Sequence, residues 1–386
     1  MRRIGVFTAT RAEFGLLRPV IAALEASATL TPRVIVSGAH LSDRHGLTVR
    51  EIEAEGVAVA ARVPVPLAGD APVQIAADMA ATLDGCARAY AELELDAVLM
   101  LGDRTELLAA AAAAVPLALP ILHLEGGHLT HGAVDDSIRH AVSKLAALHF
   151  TAAKPYRARL IQMGEAPERV FTVGSTAADN LRTFGRWTRT EVEAETGLDL
   201  SPGFILATFH PETLGAMTPA EQIDAFLNGL EAGRAGRKVL ITLPNTDAGS
   251  QAIRERIEVW AAANAGWAVA RASLGARLYL GALTACDAVA GNSSSGVIEA
   301  PIAGAPAVNV GQRQAGRLRP LGVIDAPLDA PTIAAALRQA LDPAFRAPAA
   351  KAPPPFGDGH AAQRIVQVLE TTDFAGLARK PFVDRV

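Results

Sequence analysis

The stretch DAVLMLGDRTELLAAAAAAVPLALPILHLEGGHLTHGAVDDSIRH, residues 96–140, decides the fold. It reads as strand, helix, strand, loop and helix. AVLMLG (97–102) and PILHL (120–124) are short apolar runs, and an alanine-rich segment broken by Pro116 and Pro120 lies between them. Over 134–145, Val134, Ile138, Ala141, Val142 and Leu145 recur at helical spacing and predict one apolar stripe. Asp103 and Glu125 each fall just past a predicted strand end, and Asp135 and Asp136 open the closing helix. His123, His128 and His131 are drawn to the same rim. Ligands of open α/β sheets bind outside the carboxyl ends of strands. Like charges gathered there repel one another unless something compensates them. The pattern therefore points to chemistry on a bound ligand.

Outward from this stretch the same alternation continues. Strands are predicted at 3–9, 33–39, 59–65, 97–102, 120–124, 147–153 and 169–174, then at 204–210, 237–243, 267–272, 287–292 and 306–311. Helical stretches between them imply parallel strands joined by crossover helices. The less apolar segment 184–203 reads as a hinge, the proline-rich tail 342–359 as extended chain, and 360–370 as a terminal helix packing back on the first domain. The expectation is α/β: two Rossmann-like domains, 1–184 and 185–358, facing across a cleft, with 359–386 as a terminal helix and tail.

Composition sets bounds on function. A chain of 386 residues, half of them hydrophobic, suits two domains. The net charge of −4 gives no general reason to expect a nucleic acid or an anionic membrane as partner. The apolar stretch Leu107 to Leu122 is too short and too broken by proline to span a bilayer, and the start is a poor signal peptide. Cys86 and Cys286 lack metal spacing and predict buried, reduced thiols in a cytoplasmic protein.

Three further motifs sit at strand ends. TRAEFG (10–15) turns into a helix whose free N–H groups, with Arg11, suit a phosphate. It carries neither a dinucleotide fingerprint nor a P-loop. GNSSSGVIEAP (291–301) predicts a helix start lined by Asn292, Ser293 and Ser294. Gly296 permits close approach, and Glu299 lies about one and a half turns further in, placed for ribose hydroxyls. TFHPETL (208–214) places His210 beside an acid, where it can move a proton near neutral pH. Asp103, Glu125 and Asp135 can divide acid and base work if their surroundings separate their pKa values, and Arg139 lies four residues beyond Asp135. Five of the nine histidines lie between 123 and 149, but H-x4-H-x2-H in a glycine-bearing loop is not a recognised ligand spacing, so no metal is expected.

Together these strings resemble a known family, the hydrolysing UDP-N-acetylglucosamine 2-epimerases, and within it the bacterial enzymes that feed sialic acid synthesis. The resemblance rests on LGDRTE (101–106), HLEGG (123–127), GAVDDSIRHAVSKL (132–145), MGEAPERVFTVGS (163–175), FHPETL (209–214), GNSSSGVIEAP (291–301) and VNVGQRQAGRLR (308–319), which cover most of the chain in order. It implies a fold like the B-type glycosyltransferases (GT-B) and a homodimer. It implies Asp103, Glu125, Asp135 and His210 as the catalytic group. Arg11, Asn292, Ser293, Ser294, Gly296, Glu299 and Arg313 would bind the substrate. Some relatives carry an acid where His128 stands, and the arginine of SLGARLY (273–279) is shifted, so no uracil contact is carried over there.

The implied reaction eliminates UDP from UDP-N-acetylglucosamine and hydrates the glycal, giving N-acetylmannosamine and UDP with no cofactor. The alternative within the family is UDP-N,N'-diacetylbacillosamine, on the way to legionaminic acid. A GT-B glycosyltransferase is the rival that leaves C2 untouched, and a non-catalytic nucleotide-sugar sensor is the rival outside enzymes.

Overall fold

The computed structural model describes residues 1–69, 71–130, 134–212, 216–244, 249–353 and 355–384. The chain forms two compact units, Met1–His128 with Ala133–Asn180 and Gly357–Val386, and Leu129–Gly132 with Leu181–Phe356. His131 of the histidine-rich loop, and Thr213 and Leu214 of the FHPETL string, lie outside the described residues.

The first unit is built on β1 (Arg2–Thr8), β2 (Leu30–Ser37), β3 (Val59–Val63), β4 (Ala97–Leu101), β5 (Ile121–Leu124), β6 (Leu148–Thr151) and β7 (Val170–Thr172). They form a seven-stranded parallel sheet in the order β3-β2-β1-β4-β5-β6-β7. Side chains alternate between its faces, and both faces are buried, as parallel sheets require. Val34, Val36, Leu99 and Leu101 pack on one face with the Arg11–Glu25 helix and the Ala361–Thr371 helix. Ile35, Val98 and Met100 pack on the other, against the Thr105–Ala114 helix, whose alanines are almost all buried. That helix lies where the alanine-rich run predicted one. The docking of the Ala361–Thr371 helix is fixed by Asp179, whose two carboxylate oxygens accept from Ala361 N and Ala362 N at 3.0 Å each.

The second unit holds β8 (Phe204–Thr208), β9 (Lys238–Thr242), β10 (Ala268–Arg271), β11 (Ala288–Gly291), β12 (Ala307–Val310) and β13 (Val323–Ala326). Its six strands run in the order β10-β9-β8-β11-β12-β13 and pair in parallel. Both units are thus Rossmann-like. Each reverses its strand order once, between β1 and β4 and between β8 and β11, and that is where such sheets take ligands.

Three local expectations need correction, and one segment holds a helix that was not read. The edge strand β13 was missed because it is short and only Ala326 of its four residues is buried, with Pro320 and Pro327 close on either side. The segment read as a hinge contains the Arg189–Thr196 helix, closed at its start by a capping box between Thr188 and Glu191. The tail read as extended contains the Pro343–Lys351 helix. Asp342 caps it, accepting from Ala344 N at 2.8 Å, and proline at the first helical position needs no donor. The Val134–Leu145 helix has the predicted bounds but not the predicted face. Val134 is 68% exposed and Leu145 39%, while Ile138, Arg139, Val142 and Ser143 are buried. The two polar members of that face are buried because each finds a partner inside the unit, as described below.

Cys86 and Cys286 are free and buried, and burial pushes both thiols up to about 12. Among the described residues, no helix is long and apolar enough to cross a membrane.

The buried carboxylate Glu165 holds the C-terminal segment onto the first unit. It binds Lys144 Nζ and Lys380 Nζ at 2.6 Å each and His149 Nε2 at 2.9 Å. Burial alone would raise its pKa, but these donors together bring it from 4.5 down to about 2. A depressed carboxylate pKa stabilises the fold fully above 4.5, and that stabilisation is lost as pH falls towards 2. Glu165→Gln should therefore lower stability at neutral pH by roughly 3 kcal/mol. Urea titrations should also show it losing less further stability than the parent between pH 4.5 and 2.

Candidate active site

In the first unit, β1, β4 and β5 are adjacent, so Arg11, Asp103 and Glu125 emerge side by side at their carboxyl ends. Arg11 is exposed at the first position of its helix. The turn before it is already partly satisfied from within. Glu13 Oε2 accepts from Ala9 N at 2.8 Å and Thr10 N at 3.1 Å, and Thr10 completes a capping box. Burial pushes the Glu13 carboxyl up to about 7, against those two N–H groups and the Arg104 charge 4.0 Å away. The Ala9 and Thr10 N–H groups of this turn are therefore already taken by Glu13.

The acids are organised by Arg139, which is 1% exposed. Its guanidinium pairs with Asp103 and with Asp136 at 3.0 Å, and donates to the His128 carbonyl at 3.1 Å. Asp103 caps no helix. The Thr105–Ala114 helix begins after Arg104 without a side-chain cap, and the Asp103 carboxylate is turned to Arg139 instead. Asp135 stands in the first turn of the Val134–Leu145 helix, half-buried, where its charge acts on Arg104.

Glu125 adopts a left-handed backbone conformation, φ 61°, which is strained for a non-glycine residue. Several contacts hold it there. Glu125 N donates to the Phe150 carbonyl at 3.0 Å, Ser175 Oγ donates to Oε1 at 2.8 Å, and His128 Nε2 lies 2.8 Å from Oε2. The next turn is tight as well. Gly127 has φ 83°, and a Cβ there would stand 2.4 Å from the Tyr156 carbonyl oxygen.

The histidines of this region have protein partners. His123 Nε2 meets the Gly102 carbonyl at 2.9 Å, and Nδ1 meets Ser143 Oγ at 3.1 Å. A carbonyl only accepts, so Nε2 carries the proton and Nδ1 accepts from the serine. Burial lowers the His123 pKa to about 4, so the ring is neutral at physiological pH. His149 serves Glu165, and His140 lies 3.5 Å from Asp136.

In the second unit, the β8 and β11 ends are joined by Asn292. Its amide accepts from His210 N at 2.7 Å and donates to the His210 carbonyl at 2.8 Å. Its own carbonyl accepts from Gln314 at 2.9 Å and Arg313 at 3.4 Å. Glu212 ties the same loop from the other side. Its Oε1 accepts from Gln312 N at 2.7 Å and Arg313 N at 3.1 Å, and a Cβ at Gly311 would stand 2.1 Å from that oxygen. His210, Asn292 and Arg313 are therefore one locked assembly.

The serine run is built differently from the expectation. Ser293 caps a single 3₁₀ turn, Ser294–Gly296, accepting from Ser295 N. The α-helix begins only at Glu299 and ends at Ala303, so Glu299 stands in its first turn rather than one and a half turns in. Gly296 weakens helix propagation, and Pro301 donates no N–H, which is tolerated only near a helix start. Ser295 is buried and shares a 2.5 Å hydrogen bond with Tyr279, leaving Ser293 and Ser294 half-buried. Burial pushes Tyr279 up to about 12, so it stays protonated.

Sequence reading set Arg139 only beside Asp135, and it missed the roles of Ser175, Glu212 and Gln314. Arg139 and Ser175 lie inside quoted strings, yet only distant partners give them a role. Glu212 and Gln314 act through backbone N–H and carbonyl groups, which leave no residue-type signal.

Solved structures share this fold over nearly the whole chain. The S. aureus MnaA–UDP co-structure aligns with a TM-score of 0.80 at 19% identity, covering 100% of both chains. The Neisseria meningitidis UDP-GlcNAc 2-epimerase bound to UDP-GlcNAc aligns with a TM-score of 0.80 at 18% identity, covering 96% of this chain and 100% of that one. The fold class is thus that of two-domain α/β proteins with GT-B-like architecture. The model of the UDP-N-acetylglucosamine 2-epimerase family matches residues 22–370, and the chain belongs to that family of hydrolysing UDP-sugar 2-epimerases. Among curated relatives, the GDP/UDP-N,N'-diacetylbacillosamine 2-epimerase (hydrolyzing) of Campylobacter jejuni is 35% identical over 85% of each chain. The UDP-N,N'-diacetylbacillosamine 2-epimerase (hydrolyzing) of Legionella pneumophila is 35% identical over 96% of each. The UDP-N-acetylglucosamine 2-epimerase of Neisseria meningitidis is 31% identical over 88% of each.

Removing the Arg139 charge leaves Asp103 and Asp136 without their shared cation. Arg139→Met should destabilise the protein by about 3 kcal/mol, read as a lower urea midpoint with an unchanged m-value.

Proposed function

We propose that this chain acts on UDP-N,N'-diacetylbacillosamine, UDP-2,4-diacetamido-2,4,6-trideoxyglucose, and releases UDP and the free 2-epimer. The observation that carries this choice is that two relatives bearing that sugar's name match at 35% identity over most of both chains. The sequence reading put UDP-N-acetylglucosamine first. A relative named for that sugar matches at 31%, which supports it as the second reading.

In this proposal the C2–H bond breaks as the C1–O bond to UDP breaks. The C–H electron pair becomes the C1=C2 bond of a glycal, and the departing diphosphate keeps the C1–O pair. Water then adds, its oxygen to C1 and a proton to C2 from the opposite face. Asp103, Glu125 and Asp135 carry the proton transfers, and the ion pair and strained backbone that hold the first two support that role. His210 assists UDP departure or sugar binding. Arg11, Asn292, Ser293, Ser294, Gly296, Glu299 and Arg313 hold UDP, supported by the locked loops after β8 and β11. The proposal includes a cytoplasmic homodimer working without metal or cofactor.

Three sets of measurements test it. Released sugars are identified by NMR with each UDP-sugar, and kcat/KM should favour the diacetamido substrate by about 10-fold or more. A ratio in the other direction overturns the choice of sugar. In heavy water, deuterium should enter C2, which a glycosyltransferase would leave untouched. Asp103→Asn and Glu125→Gln should each lower kcat by roughly 10³-fold with UDP affinity nearly unchanged, whereas Ser293→Ala with Ser294→Ala should weaken UDP binding by about 10-fold.

A further inference from the structure

We propose that Tyr279 is a positioning residue for UDP binding, its hydroxyl bracing the serine turn through Ser295. The inference rests on the reading of Ser293 and Ser294 as diphosphate contacts. Much of that turn is already committed to itself. Ser295 N donates to Ser293 Oγ at 3.4 Å and Gly296 N to the Ser293 carbonyl at 3.1 Å. Val297 N and Ile298 N donate to the Ser294 carbonyl at 3.1 and 3.0 Å. The half-buried hydroxyls of Ser293 and Ser294 are then the side-chain donors left to meet an anion. Ser293 Oγ accepts from Ser295 N, so whatever fixes Ser295 also fixes where the Ser293 hydroxyl points. A single 3₁₀ turn has few bonds of its own, and an outside contact therefore decides its orientation.

Tyr279 supplies that contact. Ser295 is 7% exposed, and the two hydroxyls share a hydrogen bond of 2.5 Å. Tyr279 belongs to the Gly275–Ala285 helix, which leads into β11, the strand that delivers the serines. A crossover helix runs back along its sheet, so its early residues lie near the carboxyl ends of the strands. The ring packs against the apolar cluster that contains Leu206, Leu283, Val289 and Ala300, so the hydroxyl is carried on a rigid arm. The Thr208 hydroxyl acts on the same phenol, and Thr208 Oγ1 shares a 2.5 Å bond with Thr242 Oγ1. The ends of β8 and β9 therefore back the brace with neutral groups, which set no charge against a diphosphate. Because the phenol is pushed up to about 12, the bond does not titrate at neutral pH.

Tyr279→Phe keeps the ring and its packing and removes only the hydroxyl. UDP Kd and the KM for the UDP-sugar should each rise by about 10-fold, with kcat within about 3-fold of the parent. Ser295→Ala deletes the other end of the same bond and should weaken UDP binding as much. The double variant should bind UDP no worse than either single one, because all three lack one shared contact. Calorimetric titration with UDP reads these affinities, and thermal unfolding confirms that each variant is folded at the titration temperature. The proposal is overturned if folded Tyr279→Phe binds UDP with parental affinity, even at a lower unfolding midpoint. It is also overturned if the two single losses add, or if the loss appears in kcat alone. Ser293→Ala with Ser294→Ala, titrated beside them, separates the two readings. Parental UDP affinity in that variant removes the premise, whereas weakened affinity there with parental affinity in Tyr279→Phe removes only this inference.

Discussion

A buried guanidinium loses its hydration, and in a protein that costs several kcal/mol unless carboxylates and carbonyls surround it. Arg139 meets this condition at the first unit's rim, with Asp103, Asp136 and the His128 carbonyl around it. The arrangement is reciprocal. Without the cation, carboxylates gathered at the ends of β4 and the Val134–Leu145 helix would repel one another, and the rim would open. With it, Asp103 is pinned relative to the helix start, and the same cation reaches the loop that bears His128. The helix face that buries an arginine follows from that charge balance.

Neutral contacts complete the frame where more charge would upset that balance. His123 stands beneath the rim with a neutral ring, linking the Gly102 carbonyl to Ser143 on the helix. A protonated imidazole there would add a second buried cation near Arg139. Burial prevents this, and the carbonyl on one side and hydroxyl on the other satisfy both ring nitrogens. The strand end before Asp103 is thereby held by a bond that does not depend on pH in the physiological range.

The fold was legible because parallel strands buried on both faces give continuous apolar runs, and twelve strand positions could be read directly from them. The carboxylates were legible because they stand immediately after those runs. Arg139 was not. Spacing along the helix sets it beside Asp135, and its burial depends on Asp103, 36 positions away, which returns to meet it together with Asp136. The face of its helix was misread for the same reason, since periodicity counts apolar side chains and cannot see a polar one that finds a partner. The serine run misled in the other direction. Three serines suggest one helix start, but Gly296 and Pro301 divide the segment into a 3₁₀ turn and a five-residue helix. The Pro343–Lys351 helix was hidden by its prolines, although Asp342 before Pro343 is a start signal that outweighs them.

The two units solve the same mechanical problem with different chemistry. Each must hold together loops that leave neighbouring strands, after β4 and β5 in the first and after β8 and β11 in the second. The first uses a guanidinium among acids, and the second uses the amide of Asn292, which accepts from His210 N and donates to its carbonyl. An amide can do both at once, whereas a guanidinium only donates and a carboxylate only accepts. It also adds no net charge beside the serines and Arg313. A carboxylate at 292 would lose the bond to the His210 carbonyl and set a negative charge against any anion brought to the serines. The amide is thus the one short side chain of this shape that closes the β8 and β11 loops onto each other without adding charge.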